Sequence, residues 1–315
     1  MTDSQSRRQQ GIESINILAA LQQTKSLASI AQEIASFRRA SIRIAATLID
    51  SENIVHVGIN KFGGYPDLPP DVQWPVSKLM LPSWLAPSAT GIPIDINGNF
   101  SLPFIAQLRM EDTKAYDLDG LLPSSGMLYF FYAGSQYGFD NGNSNYWRVF
   151  WCSNTNELKP VTPPTPLIPD ATYHTCSLTF ANEQTLPHVE TCWIGRRGDS
   201  PAKLMLSHAQ WDEYADFLYR ARANQTIHQM LGHSDDVQPN ALEYGYNLVQ
   251  DQIFPDSKNF SSDRLQKQFQ QSRLLLQIDV EANGMRFGRD GRLFFFIRED
   301  DLRRSDFSKV WAIEQ

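Results

Sequence analysis

The sequence predicts an α+β fold with a large β component, an internal duplication, an N-terminal helical segment and peripheral helices. Three observations carry this. Strand-like apolar patterns recur from about residue 40 onward, helical spacing is confined to the start and to two later stretches, and one order of short signals occurs twice.

Residues 1–25 are read as an N-terminal extension, polar over the first ten positions. From about Gly11 to Arg39 the pattern is helical, with Leu27, Ile30, Ile34 and Phe37 on one face. Ser26 and Thr24 are equal candidates to cap that helix. The period then changes. Ile42, Ile44, Ala46 and Leu48 alternate with Ser41, Arg43, Ala45 and Thr47, which marks a half-buried strand. Asp50 to Asn53 reads as a turn and Ile54 to Ile59 as a returning strand.

The stretch Lys61 to Pro70, with Trp74-Pro75 after it, is dense in Pro, Gly and large aromatics. It can be neither helix nor central strand, so an ordered loop is expected. Residues 76–100 are irregular and long enough for a flap or insertion. Strands are expected at Phe104–Arg109, Met127–Ala133 and Trp147–Cys152, with a polar hairpin tip over 134–146. Pro160, Pro163, Pro164, Pro166 and Pro169 make a stiff connector. Strand alternation resumes at Thr172–Phe180. Helices are expected at Ser207–Asn224 and at 261–271, and a last strand pair at Leu274–Val280 and Leu293–Ile297.

The repeat pairs Gly63-Gly64, Gln107 and the strand after Gly126 with Leu231-Gly232, Gln277 and the strand after Gly291. Gly64 precedes Gln107 by 43 residues, and Gly232 precedes Gln277 by 45. Each glutamine sits inside an apolar strand, where an amide must find partners or cost about 1–3 kcal/mol. Two readings follow: each amide ties down backbone of the nearby loop, or both line a polar cleft between the halves.

Composition excludes several classes. The 315 residues are 42% apolar and 20% charged, which excludes a disordered chain. A net charge of −7 gives no electrostatic footprint for nucleic acid. No apolar run approaches a membrane span, and Arg7-Arg8 is followed by polar residues rather than an export signal's apolar region. A cytoplasmic protein is expected. Three cysteines are too few for a disulfide framework.

Chemical signatures are sparse. His174 and Cys176, with His188 and Cys192, could form a Cys₂His₂ zinc set, but the second pair follows Pro187 without a clear element, so no metal is expected. Asp140 to Asn145 resembles a calcium loop but has Trp151 where the bidentate Glu belongs. There is no G-x-S-x-G, no HExxH and no cysteine with a credible activating partner beyond His174/Cys176. No cofactor and no catalytic residue is expected.

Several segments resemble the YwqG-like family, a bacterial domain of unknown function. They are Lys61-Phe-Gly-Gly-Tyr-Pro-Asp-Leu-Pro69, Trp74-Pro75, Pro103 to Leu108, Leu122 to Tyr132 and the tail Gly291 to Ser308. Leu231-Gly232 with Gln238 is similar to that family's Gly-x-Pro-x-x-x-Gln element, with His233-Ser234 in place of an aromatic-Pro pair. The resemblance implies a single α+β unit over 26–315 with a mostly antiparallel sheet, in two halves of about 40–160 and 170–315. It carries no established activity. The expected function is a non-enzymatic binding or protein-interaction module, whose partner is a protein or a small polar ligand and neither nucleic acid nor membrane. The alternative is an enzyme of unassigned class acting on a small polar ligand between the halves. Candidate ligand-binding residues are Gly63, Gly64, Gln107, Gly232, Gln238 and Gln277.

Overall fold

The computed structural model describes residues 16–49, 55–79, 92–95, 97–134, 142–165, 167–168, 171–198, 202–222, 226–238, 240–280, 283–287 and 291–315. The predicted turn at 50–53, most of the predicted flap and most of the hairpin tip lie outside them. The fold is α+β.

Ten strands form one sheet: β1 (Arg39–Leu48), β2 (Lys61–Phe62), β3 (Phe104–Arg109), β4 (Met127–Tyr132), β5 (Trp147–Cys152), β6 (Cys176–Thr185), β7 (His228–Leu231), β8 (Ser272–Ile278), β9 (Leu293–Arg298) and β10 (Trp311–Glu314). Their order is β10-β9-β8-β7-β1-β6-β2-β3-β4-β5. Every pairing in it is antiparallel. The first strand of each half is exchanged. β1 pairs with β7 of the second half, and β6 pairs with β2 of the first. The two long strands then pair with each other from Arg39 opposite Thr185 to Leu48 opposite Cys176.

The halves match in register. Lys61 lies opposite Gln107, and Gln229 opposite Gln277. β3 carries a bulge between Phe104 and Ala106, and β8 carries one between Leu274 and Leu276. The sheet curls until it is nearly a barrel. Phe130 of β4 meets Phe295 of β9 edge-on at 5.0 Å, and Trp147 Nε1 donates to Val310 O at 3.0 Å.

Alternation along β4 explains the layers. Leu128, Phe130 and Tyr132 join the core shared with the second half, whereas Met127, Tyr129 and Phe131 face a separate core under the loops around Trp74, Phe100 and Ile168. Seven helices occur among the described residues: α1 (Ile17–Gln22), α2 (Ala31–Ser36), α3 (Met110–Thr113), α4 (His208–Arg222), α5 (Ala241–Ile253), α6 (Ser262–Gln271) and α7 (Glu299–Arg303). Helices α5 and α6 cover β9 and β10, where Tyr246 packs on Trp311 at 5.5 Å and on Phe269 at 5.3 Å. A third cluster joins α1, α2 and α4 to a parallel pair, Ile194–Arg196 with Leu204–Leu206. No helix among the described residues is long and apolar enough to cross a membrane.

Four expectations are corrected. The loop expected over Lys61–Pro70 begins inside the sheet, because Lys61 and Phe62 form β2 between β6 and β3 before the glycines turn the chain. The helical segment over 11–39 is broken within its described part into α1, a 3₁₀ turn at Ala28–Ile30 and α2, and its cap is Asn16, which accepts from Ala19 N. The strand expected at 54–59 is a loop over its described part. Gly58 has φ +79° and gives its N–H to the Asp67 carboxylate, so the backbone cannot run in a ladder. The strand expected at Thr172–Phe180 starts at Cys176 and runs on to Thr185, because its partner β1 is ten residues long.

Candidate functional site

Two matched loops frame the candidate site. After β2 the chain turns through Gly63 and Gly64, at φ +68° and +67°. At the end of β7 it turns through Leu231 and Gly232, at +60° and +74°. A Cβ on Gly64 would lie 2.3 Å from Thr175 Oγ1, and one on Gly232 would lie 2.5 Å from Thr185 Oγ1 and 2.8 Å from Ser41 Cβ. A Cβ on Gly63 would meet His174 O at 2.4 Å. These glycines let each turn press against a neighbouring strand, which is a packing reason for the residue type.

The glutamines hold the loops. Gln107 Oε1 accepts from Asp67 N at 2.8 Å, and its Nε2 donates to Ile59 O at 2.8 Å and Asp67 Oδ2 at 2.7 Å. Gln277 Oε1 accepts from Asp235 N at 2.9 Å, and its Nε2 donates to Ile227 O at 3.0 Å. Both side chains are fully buried. Of the two sequence readings, the geometry follows the one in which each amide ties down loop backbone.

The anchored aspartates receive their cations differently. Lys61 reaches Asp67 from within β2, at 2.9 Å. Arg292, at the foot of β9, reaches Asp235 Oδ2 at 2.6 Å and Asp279 Oδ2 at 3.1 Å. Gln238 is exposed, and its backbone N–H donates to Gln315 Oε1 at 3.1 Å.

Beside the second loop lies a cavity lined by Arg39, His188, Cys192, His233, Asp236 and Glu243, with Gly232 and Trp193. Arg39 opens β1. Its guanidinium donates to Gln270 O at 2.7 Å and Ser272 O at 3.2 Å, closing the C-terminus of α6. Burial brings Arg39 down to about 9, and the nearby Arg273 adds to this. His233 donates Nε2–H to Phe37 O at 2.7 Å; burial, then Arg39, holds it well below the ordinary histidine range, so it is neutral. Burial pushes the Cys192 thiol up to about 12, with Glu243 adding to the effect.

The two acids belong to the start of α5. Asp236 Oδ2 accepts from Ala241 N at 3.0 Å, and Glu243 lies in the first turn. Burial raises both carboxyls above their ordinary range; His188 opposes the rise at Asp236, and Asn240 opposes it at Glu243.

The structure does not gather the four residues of the alternative zinc set. Among the described residues no three His, Cys, Asp or Glu side chains converge as metal ligands do. The ten-residue β6 separates the pairs: His174 and Cys176 stand at its start and His188 and Cys192 beyond its end, about 30 Å apart along the strand at ~3.3 Å per residue. His188 and Cys192 meet Arg39, Asp236 and Glu243 instead. Sequence reading missed those three residues and His233. The spacing of Leu242, Tyr246, Val249 and Ile253 carries a helical signal that would have placed α5 and its acidic start.

The family described as a domain of unknown function (DUF1963) matches residues 60–315. No curated protein matches the chain.

Proposed function

The chain belongs to that family, the domain of unknown function DUF1963, and on that premise we propose that it is a non-enzymatic binding module of the YwqG-like kind. One observation carries the reading. The two matched glutamines are spent on loop backbone, and in the cavity the Cys192 thiol and the His233 imidazole are buried and tuned away from nucleophilic and basic roles. The unit spans 26–315, and its halves derive from one copied segment, a view supported by their matched registers and matched glutamines. It acts in the cytoplasm, in keeping with three cysteines that form no disulfide. Its partner is a protein or a small polar ligand. The charge of −7 speaks against nucleic acid and anionic membrane surfaces.

The test is equilibrium dialysis of the full chain against a metabolite extract, followed by mass spectrometry on both sides. Binding predicts a polar compound enriched with the protein, in total amount unchanged. Loss of any compound in molar excess over the protein would replace this reading with catalysis. Neither retention of a compound nor a stoichiometric protein partner from native lysate would end it.

A second reading, an enzyme acting on a small polar ligand between the halves, draws on one feature. The cavity joins Arg39 of the first half to Asp236 and Glu243 of the second. Turnover in the same dialysis distinguishes it.

A further inference from the structure

We propose that β5, an end strand of the sheet, takes up an extended acidic segment of another protein as a further strand. The inference rests on reading the chain as a binding module and names one class of partner for it.

β5 closes one end of the strand order. The ladder with β4 fixes which of its backbone groups are free. Ala133 N donates to Tyr146 O at 2.8 Å, whereas on the other side of β4 Met110 N donates to Gly126 O at 2.9 Å. Hydrogen-bonded positions alternate along an antiparallel pair. Met127, Tyr129 and Phe131 therefore bond to Cys152, Phe150 and Arg148. Trp147, Val149 and Trp151 point their N–H and C=O groups away from β4. Among the described residues, no backbone group meets them across that edge. The strand also lacks the usual guards of an edge. It holds no proline or glycine, and it pairs with β4 without a bulge, whereas the β3–β4 and β8–β9 ladders each have one.

A groove of about 530 Å³ runs beside this edge, a size that holds a ligand rather than a single water. It is lined by Trp147 to Trp151, by Ser305 to Val310 and by the end of α5. Trp147 Nε1 donates to Val310 O at 3.0 Å and ties the first two walls together. The second wall contains a 3₁₀ turn, Phe307–Lys309, which offers no ladder of its own. The free groups of β5 are thus left for an incoming strand, which answers them with its own backbone.

Charge selects the segment. Arg148, exposed on β5, and Lys309 both line the groove, and neither has an ion-pair partner among the described residues. The one acid in the lining, Asp306, accepts from Ser308 Oγ at 2.5 Å. The groove is locally basic on a chain of net charge −7. A second copy of the chain fits less well, because it would set the same two cations against their counterparts and bring a second Ser305–Val310 wall to the edge.

Fluorescence anisotropy of the full chain with a labelled peptide of alternating glutamate and valine tests the proposal. One control peptide alternates lysine and valine, and the other is the glutamate peptide with every amide N-methylated. The expected result is saturable binding of the unmethylated glutamate peptide only, with slowed exchange of the Val149 and Trp151 amide hydrogens in its presence. Val149→Pro removes an N–H that β4 does not use and should weaken binding about tenfold or more while the chain melts cooperatively. Arg148→Glu, at an exposed position, should also weaken it about tenfold, and it decides the case should Val149→Pro fail to fold. Equal binding of either control peptide, binding of none, or undiminished binding by folded Arg148→Glu would overturn the site. Sedimentation showing a dimer that Val149→Pro dissociates would give the edge to a second copy and overturn it too. The dialysis experiment decides separately between binding and catalysis.

Discussion

Lys61 Nζ stands 2.9 Å from Asp67 Oδ2, with 3% of one side chain and 1% of the other exposed. The same carboxylate accepts from Gly58 N and from Gln107 Nε2. One buried anion therefore gathers a strand, a turn and a neighbouring strand. Removing the cation leaves the anion buried without its counter-charge. Lys61→Met should destabilise the chain by about 3–5 kcal/mol in urea unfolding. A loss under ~1 kcal/mol, as for an exposed pair, would show that Asp67 does not depend on Lys61.

The glutamines make a matched prediction. Gln107→Met and Gln277→Met each strand a buried backbone N–H and a carbonyl, and each should cost about 1–3 kcal/mol or more. Gln107 should cost the larger amount, because it also donates to the Asp67 carboxylate. The two share no hydrogen-bond partner, so the double variant should lose the sum within about 0.5 kcal/mol. Urea unfolding of the three variants checks both statements.

Thiol chemistry follows from burial. Burial pushes Cys152 up to about 11 and Cys192 up to about 12. At pH ~8 a thiol titrating near 11 is about one part in a thousand thiolate. Iodoacetamide should therefore label native protein slowly, Cys152 ahead of the more buried Cys192, and label both quickly in denaturant. Peptide mapping by mass spectrometry reads the order. Fast native labelling of Cys192 would point to an activated thiol and to the catalytic reading.

The acid beside the cavity predicts a pH dependence. Burial holds the Glu243 carboxyl above its ordinary value of 4.5. Within the window between 4.5 and the raised native value, the folded chain keeps a proton that the unfolded chain has released. Above that window the buried charge is a cost, and acidification through it removes the cost. Wild-type stability relative to Glu243→Gln should therefore rise as pH falls from about 8 to about 5. Paired urea melts across that range check the sign; a difference that does not change with pH would refute it.

Much of the β framework was legible in local pattern. Phe104–Arg109, Met127–Tyr132 and Trp147–Cys152 form where apolar runs of strand length lie between turn residues. Helices α4 and α6 form where apolar residues recur at helical spacing. Gln107 and Gln277 stood out because an amide in an apolar strand is anomalous. Other features were hidden. The stretch 54–59 has the residues of a strand, but Asp67 and Gln107 take its backbone groups at Gly58 and Ile59. Arg39 has no local signal for its role, since its partners Gln270 and Ser272 lie more than 230 residues away.

The sequence by itself determined which segments alternate, where glycine must turn the chain, and that two amides would need partners, because periodicity, steric limits and hydrogen-bond demand act within a few residues. Only the tertiary structure decided that β1 and β6 trade places between the halves, that each glutamine grips an aspartate loop, and that Arg39, His188, Asp236 and Glu243 share one cavity. Those outcomes depend on strand order and long-range burial, which bring residues far apart in the chain into contact and shift the charge of the groups they enclose.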